Sequence, residues 1–488
     1  MNKSEKTQTS GPASLSVIVL AAGKGTRMKS PLPKVLHPVA GQPMVGRVLQ
    51  AAKAVGAKEL RVVVGHGESL VRRVIEPLGA IAFQQKEQKG TADAVLSADP
   101  GSMTGTVLIL SGDTPLIEGK DLAAIISEFN DLRADVAVVT AELKNPGSLG
   151  RIVRQKGELK AIVEAGDAGA DTLKIREINS GTYIAKASVL ADLLSQVKPN
   201  NSKGEFYLTD IISIGLEDGL KVVAIKGRPA MAYGVNTQEE LARASRVVFT
   251  RNRKKLMENG VVMIDPATVY AEDDVVIGGG TVVYPNVYLR GASRIGHYCV
   301  LEPGVHIISS SVADSTHIKA GCYFENCVVG EKVQIGPYAR LRPETSIGRE
   351  AHIGNFVEMK KTVFGARSKA GHLTYLGDAK IGDDVNIGCG TITCNYAADR
   401  KKYETVIGDG AFVGSDVQFV APIKIGDGAV IASGSTITED VPAKALAIAR
   451  GRQVNKPDWK SPSEASSMTG QKIGSAPGTA TATRDEKD

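Results

Sequence analysis

The stretch TVIGDGAFVGSDVQFVAPIKIGDGAVIASGSTI, residues 405–437, decides the fold of the C-terminal half of this chain. Within it Ile407, Val413, Phe419, Ile425, Ile431 and Ile437 follow one another at intervals of six, most of them trailed by Gly or another small residue. Such a period suits neither a helix, which repeats every ~3.6 residues, nor an ordinary alternating strand, which repeats every ~2. It is the signature of a hexapeptide β-helix, in which each hexad makes one flat strand and one tight corner. The large aliphatic side chain points inward and stacks on its equivalents in the neighbouring coils, so all coils share one core. The same interval links Ile335, Leu341, Ile347, Ile353 and Met359, and Ile381 with Ile387. The solenoid is expected from about Asp265 to about Ile448. Regular hexads fail between Lys360 and Ser368 and again between Asn395 and Thr405, where loops are expected to leave the column.

Upstream the pattern changes. Thr237 with Glu240 makes a capping box, and Leu241, Ala244 and Val248 then share one helical face. Lys254 and Lys255 suit a helix end and Gly260 a stop, so 237–260 reads as a linker helix. From Leu15 to about Val235 short apolar runs alternate with helical stretches: Ser16–Leu20, Arg61–Val64, Thr106–Leu110, Val136–Val139 and Val222–Ile225. Alternation of this kind predicts an α/β domain with a mostly parallel, Rossmann-like sheet. The expected division is a domain over 1–236, the linker over 237–260, the hexapeptide domain over 261–453 and a disordered tail over 454–488 rich in Ser, Gly, Thr, Ala and Lys. Residues 1–13 are polar and expected to be disordered as well.

At 488 residues the chain is too long for one ordinary core. A formal net charge of +6 spread over that length, with no long basic run, argues against bulk nucleic-acid binding. The apolar run Leu15–Ala22 is short and runs straight into Gly23-Lys24-Gly25, which fits a buried strand rather than a signal peptide. No run of about 18 apolar residues is present, so no membrane span is expected. The five cysteines, Cys299, Cys322, Cys327, Cys389 and Cys394, are odd in number and form no Cys-x-x-Cys pair. That usage predicts reduced thiols and a cytoplasmic setting.

The first strand leads into Leu20-Ala21-Ala22-Gly23-Lys24-Gly25-Thr26-Arg27-Met28. Small residues after a strand let backbone N–H groups approach a phosphate. A P-loop is excluded because Gly25 follows Lys24, and a Rossmann fingerprint because Met28 stands where its third glycine belongs. A glycine loop alone fits a plain strand-to-helix turn equally well. Its surroundings are more specific: Pro33-Lys34 follows, and Gln85, Gly90-Thr91 and Ser111-Gly112-Asp113 lie at successive strand ends. Together these residues resemble the sugar-phosphate nucleotidyltransferases, where a sugar 1-phosphate attacks the α-phosphorus of a nucleoside triphosphate. Two polyanions must then be brought together, which calls for backbone donors, cations and a metal. Asp113 stands at a strand's carboxyl end, where α/β sheets bind ligands.

In the solenoid, the segments Asn355–Lys361 and Gly371–Asp378, then Asn386 and Asn395-Tyr396, crowd His, Tyr, Lys and Asn onto a structural repeat. This half resembles the acetyltransferase part of a family of bifunctional bacterial enzymes. In that family a glucosamine-1-phosphate N-acetyltransferase is joined to an N-acetylglucosamine-1-phosphate uridylyltransferase. The resemblance runs from about Leu15 to Arg450, with both halves in the same order.

What the resemblance implies is specific. The fold would be a nucleotidyltransferase domain followed by a left-handed parallel β-helix. Acetyl transfer from acetyl-CoA to glucosamine 1-phosphate would precede uridylyl transfer from UTP with Mg²⁺, and the product would feed peptidoglycan and other envelope glycans. In the first site Leu20, Ala21, Ala22, Gly23, Gln85, Gly90 and Thr91 would hold the uridine nucleotide, with Ser111 and Gly112 beside it. Arg27 and Lys34 would face the triphosphate, and Asp113 and Asn236 would hold Mg²⁺. Gly150, Glu164 and Asn179 would hold the N-acetylglucosamine moiety. In the second site Arg342 and Lys360 would bind the sugar phosphate, and Tyr375 and Asn386 the sugar. His372 would be the general base: an amine attacks a thioester only unprotonated, and an imidazole, with a reference pKa of about 6.5, can take that proton. Cys389, Asn395, Tyr396, Ser415, Ser433 and Arg450 would line the acetyl-CoA site. The assembly would be a homotrimer.

Three departures from the family pattern stand out. Ala397-Ala398 replaces the usual Asp-Gly, and the loop to Thr405 is one residue longer, which leaves open whether Lys401 or Lys402 is the family's loop lysine, expected from the resemblance to reach CoA. Cys389 and Ser433 stand where Ala is common. An adenylyltransferase for another sugar, with the solenoid serving only assembly, and a non-catalytic sugar-nucleotide sensor are the competing readings.

Overall fold

A computed structural model describes residues 14–459 and 461–462. The leading segment and most of the expected tail therefore lie outside the described residues.

In the N-terminal domain nine strands form one sheet: β1 (Leu15–Ala21), β2 (Glu59–Val64), β3 (Ile81–Gln84), β4 (Thr106–Ser111), β5 (Val136–Glu142), β6 (Arg151–Gln155), β7 (Glu158–Val163), β8 (Glu177–Lys186) and β9 (Val222–Lys226). The order along the sheet is β9-β5-β8-β4-β1-β2-β3, with the β6–β7 hairpin attached to β8. The β1, β2, β3 and β4 pairings are parallel, as is β9 with β5, whereas β8 runs antiparallel to both β4 and β5. All five strands expected from apolar runs are present. Strand β8 escaped that reading because its register shifts between Asn179 and Tyr183, where Asn179-Ser180-Gly181 interrupts the apolar pattern. Val17, Ile18, Val19, Leu108, Ile109 and Leu110 are fully buried, since both faces of the sheet are covered.

The linker helix spans Gln238–Glu258, and its Thr237–Glu240 capping box is formed. Ala244 and Val248 pack with Val39, Met44, Leu116 and Val235 of the first domain. Leu256, two turns further on, joins the solenoid core. One amphipathic helix thus belongs to two cores, and an Arg47–Asp273 ion pair crosses the same junction.

The solenoid runs from Val262–Met263 to Leu446–Ala447 as a parallel β-helix with three columns of strands. Inward positions stack as the hexads require: Ile335 on Ile353, Leu341 on Met359, Ile347 on Phe364, and Val413 on Ile431. Each of these side chains is at most 4% exposed, and each buried aliphatic contributes roughly 1.5–3 kcal/mol. One expectation is corrected here. No loop leaves the column between Lys360 and Ser368: Glu358–Phe364 is one continuous strand that turns the corner at Lys361, φ +49°. The hexad is merely one residue short, because Met359 and Phe364, only five positions apart, both point inward. The second interruption is real. Ile381 pairs with Ile407 across a coil lengthened by the excursion from Asn395 to Glu404, which is closed by a Tyr396–Lys402 bridge.

Candidate functional sites

The carboxyl ends of β1, β3 and β4 open on a cavity of about 310 Å³. Its wall gathers Leu20, Ala21, Ala22, Gly23, Lys34, Gln85, Gly90, Thr91, Ser111 and Asp113, all expected from the sequence. Gln88 also lines it, its amide donating to the Ala22 carbonyl at 2.5 Å; nothing in the sequence had marked it. The Gln85 amide nitrogen is committed to Asp93 Oδ2 at 2.7 Å and the Gly90 carbonyl at 3.1 Å. That commitment fixes the flip of the group and turns its carbonyl oxygen the other way, an acceptor suited to a base N–H. Gly90 is required at its place: φ is +132°, and a Cβ would lie 2.3 Å from the Phe206 carbonyl oxygen. Gly112 donates its N–H to the Leu20 carbonyl at 2.9 Å, closing β4 onto β1. Arg27 stands exposed on the turn Thr26–Met28, off the cavity wall.

Asp113 and Asn236 come together from opposite ends of the domain. The Val235 N–H donates to the Asp113 carbonyl at 2.9 Å, and Glu240 of the helix cap accepts from the Asn236 N–H at 2.6 Å. The start of the linker helix therefore places Asn236. Both side chains turn their oxygens onto one cation, the Lys34 ammonium, which donates to Asn236 Oδ1 at 2.6 Å and pairs with Asp113. A carboxylate and an amide oxygen converging on one positive centre fit Mg²⁺, which keeps several waters and takes few protein ligands. Among the described residues no group of three or more His, Cys, Asp or Glu could hold a metal.

Gly150, Glu164 and Asn179 form a second cluster. The Asn179 N–H donates to the Gly150 carbonyl at 2.9 Å, and a Cβ on Gly150 would stand 3.2 Å from Glu164 Oε1. The Asn179 amide donates to the buried Tyr183 hydroxyl at 2.7 Å. Burial pushes the Glu164 carboxyl above its ordinary range and raises the Tyr183 phenol as well.

In the solenoid one edge of the prism carries a column of polar residues, one per coil. Asn355 pairs in register with His372. Each stands immediately before a residue with positive φ, Phe356 and Leu373, and Cys389, Ser415 and Ser433 precede Gly390, Asp416 and Gly434 in the same way. Coil-to-coil bonds confirm the alignment: Leu373 N to Asn355 O at 3.0 Å, Asp416 N to Cys389 O at 2.7 Å, and Gly434 N to Ser415 O at 2.8 Å. Arg450 closes the column by donating to the Ser433 carbonyl at 2.7 Å. Gly354 permits the close stacking at its top, since a Cβ there would lie 1.6 Å from the Gly371 carbonyl oxygen. His372 is exposed, and its Nδ1 lies 2.6 Å from Asn355 Oδ1. That oxygen can only accept, so Nδ1 carries the proton and Nε2 the lone pair.

On the wall beyond this edge, Arg342 donates to Glu358 at 2.8 Å, and Glu358 pairs in register with Tyr375. The Tyr375 hydroxyl and the Asn395 amide converge beside Gly377, 2.4 and 2.8 Å from where a Cβ would be. Asn395 also donates to Asp378. The Lys360 ammonium lies against that of Lys402, which, with Arg342 nearby, lowers its pKa. Of the two loop lysines, Lys402 therefore joins the cations expected to bind the sugar phosphate, a place the sequence had not suggested. Asn386 lies on the wall before the edge, between Lys369 and Phe412. Tyr396 projects from the excursion, 62% exposed.

A cleft at the strand ends of a Rossmann-like sheet, joined through a helix to a hexapeptide prism with a histidine on its edge, defines a nucleotidyltransferase–acyltransferase fusion. Residues 17–178 match the MobA-like NTP transferase domain, 266–364 the GMPPB C-terminal domain and 404–439 the bacterial transferase hexapeptide repeats. A "Bifunctional protein GlmU" of Bdellovibrio bacteriovorus is 60% identical over 445 residues, 91% of this chain and 97% of that protein. Proteins of the same description from Pelobacter propionicus and Geobacter sulfurreducens are 46% and 44% identical, each over 91% of this chain and 98% of theirs. The chain belongs to the GlmU family of bifunctional proteins. It is a bifunctional enzyme of UDP-N-acetylglucosamine synthesis, acetyltransferase and uridylyltransferase in one polypeptide.

Proposed function

We propose that the cleft at Asp113 is the uridylyltransferase site and the edge at His372 the acetyltransferase site, with the residue roles that follow. In the first, Leu20–Gly23, Gln85, Gly90 and Thr91 seat the uridine nucleotide, with Ser111 and Gly112 behind it. Arg27 and Lys34 face the triphosphate, and Gly150, Glu164 and Asn179 take the N-acetylglucosamine moiety. Asp113 and Asn236 are the residues that would hold Mg²⁺, which when bound supplies charge neutralisation for the phosphates. The sugar phosphate oxygen attacks the α-phosphorus, and pyrophosphate leaves.

In the second site Lys360, Lys402 and Arg342 hold the phosphate of glucosamine 1-phosphate, while Tyr375 and Asn386 flank the sugar. The amine gives its proton to His372 Nε2 as its nitrogen bonds to the thioester carbon. The C–S bond then breaks and CoA leaves as thiolate. Cys389, Ser415, Ser433 and Arg450 offer acetyl-CoA a track along the edge, about 4.8 Å per coil, and Asn395-Tyr396 flank its acetyl end. The observation that carries this reading is the Asn355–His372 pair at the head of that column, its Nε2 free to accept a proton.

We read the assembly as a homotrimer. Tyr338, Phe356 and Leu373, 58, 55 and 59% exposed, run along the same edge, and apolar surface of that kind needs cover. The division 1–236, 237–260, 261–453 and a tail over 454–488 is kept, supported by the helix that enters both cores. A cytoplasmic location is supported by five free thiols. Among the described residues no helix is long and apolar enough to cross a membrane. The substrates are small molecules.

The test supplies glucosamine 1-phosphate, acetyl-CoA, UTP and Mg²⁺. This reading requires both free CoA and a UDP-sugar. A UDP-sugar without CoA release points to a nucleotidyltransferase with a structural solenoid, and binding without turnover to a sensor.

A further inference from the structure

The Lys34 ammonium occupies the point at which Asp113 and Asn236 aim their oxygens. It donates to Asn236 Oδ1 at 2.6 Å and forms an ion pair with Asp113, and the two charged side chains are only 15 and 23% exposed. Its route there is enclosed: the Lys34 side chain packs over Gly25, where an added Cβ would meet Lys34 Cβ at 2.5 Å and Cδ at 3.1 Å. Beside the pair stands Gly234, where an added Cβ would be in ordinary contact with the Asn236 amide nitrogen at 3.8 Å and Asp113 Oδ1 at 3.9 Å. One carboxylate and one amide oxygen satisfy one cation. A metal bound to both, at about 2.1 Å, would share its ligands with an ammonium in direct contact with them, and like charges so placed repel.

We propose that Lys34 is the site's own counter-ion, occupying the position between Asp113 and Asn236 in place of a divalent metal and competing with it. Metal loading then requires the lysine to leave, and the triphosphate is the anion within its reach that can receive it. Nucleotide and metal become mutually dependent: the nucleotide draws Lys34 off the ligands, and the metal keeps it from returning. The Lys34–Asp113 pair carries no net charge and resists metal in the absence of nucleotide. This inference rests on the assignment of Asp113 and Asn236 as metal ligands.

Mn²⁺ binding, followed by the electron paramagnetic resonance of the free ion, tests it on the full chain. Without nucleotide, Lys34→Met should bind Mn²⁺ about tenfold more tightly than the wild type, the factor expected if the lysine holds the site roughly nine-tenths of the time. With UTP present that advantage should vanish. Equal or weaker nucleotide-free binding by Lys34→Met overturns the proposal. Acetic-anhydride labelling of the wild type, read by mass spectrometry, needs no variant: without nucleotide, saturating Mn²⁺ should raise Lys34 labelling relative to lysines elsewhere if metal displaces the lysine from Asp113. Unchanged or reduced labelling overturns it. Asp113→Ala separates the underlying reading, because undiminished Mn²⁺ binding with UTP would remove Asp113 from the metal site whatever Lys34→Met does.

Discussion

Asn355 Oδ1 and His372 Nδ1 lie 2.6 Å apart on successive coils of the prism. The contact assigns the imidazole tautomer before any substrate arrives, because an amide oxygen cannot donate. Under the proposed role of His372, Asn355 is a positioning residue for the base. Asn355→Ala should lower kcat for acetyl transfer about 10–100-fold, the loss typical of removing a group that orients an essential imidazole, with KM for glucosamine 1-phosphate nearly unchanged. Asn355→Asp should restore much of kcat but move the acidic limb of the kcat/KM profile to higher pH, because a carboxylate favours the protonated ring. Steady-state profiles of the three proteins decide it. A common pH profile with a rise in KM alone would assign Asn355 to substrate binding instead.

The cation cluster makes a separate prediction. Lys402 crowds Lys360, whose pKa is lowered by that neighbour and by Arg342. Arg342 is paired with Glu358, but Lys360 and Lys402 crowd one another beside it, an arrangement suited to a phosphate. Lys402→Ala should raise KM for glucosamine 1-phosphate by roughly tenfold, about 1.4 kcal/mol, and leave KM for acetyl-CoA nearly unchanged. Lys401→Ala should change neither. Kinetics with each substrate varied in turn check this, and a rise in KM for acetyl-CoA alone would place Lys402 on the other substrate.

How much of this was legible in the chain follows from period and register. The hexads announced the prism because the inward residue recurs at one interval whatever surrounds it. The corner at Lys361 misled because a coil one residue short looks, in sequence, like a coil interrupted. The edge column was hidden for the same reason. Asn355 and His372 are one short coil apart, whereas Cys389 and Ser415 straddle the long excursion, so no fixed spacing connects them. Their equivalence emerges only once the left-handed corners align. The nucleotide cleft was more legible, since strand ends with Gly, Gln and Asp announce themselves locally. Gln88 was not, and Lys402 was only one of two loop candidates, because their contacts are made across loops.

Burial at Glu164 gives a pH-dependent prediction for the first domain. Desolvation raises its folded pKa above the unfolded value. For a carboxyl shifted upward, ionisation is a cost to the fold that is present above the folded pKa and relieved as pH falls through it. Glu164→Gln should therefore raise the melting temperature of the first transition at pH 8 by a few degrees, as about 1 kcal/mol does in a domain of this size. The gain should shrink toward pH 5. Calorimetry at both pH values checks the sign, and a variant less stable at pH 8 than at pH 5 relative to wild type would contradict it. Sugar-phosphate affinity should fall in the same variant.

The most direct test of two independent centres on one chain is His372→Ala assayed for both half-reactions, with circular dichroism and molar mass confirming an intact assembly. Acetyl transfer to glucosamine 1-phosphate should drop at least about 100-fold, within the range general-base removal gives. UDP-N-acetylglucosamine formation from supplied N-acetylglucosamine 1-phosphate, UTP and Mg²⁺ should stay within about twofold of wild type. Parallel loss of both activities in the folded assembly, or full acetyl transfer without the imidazole, would contradict the account.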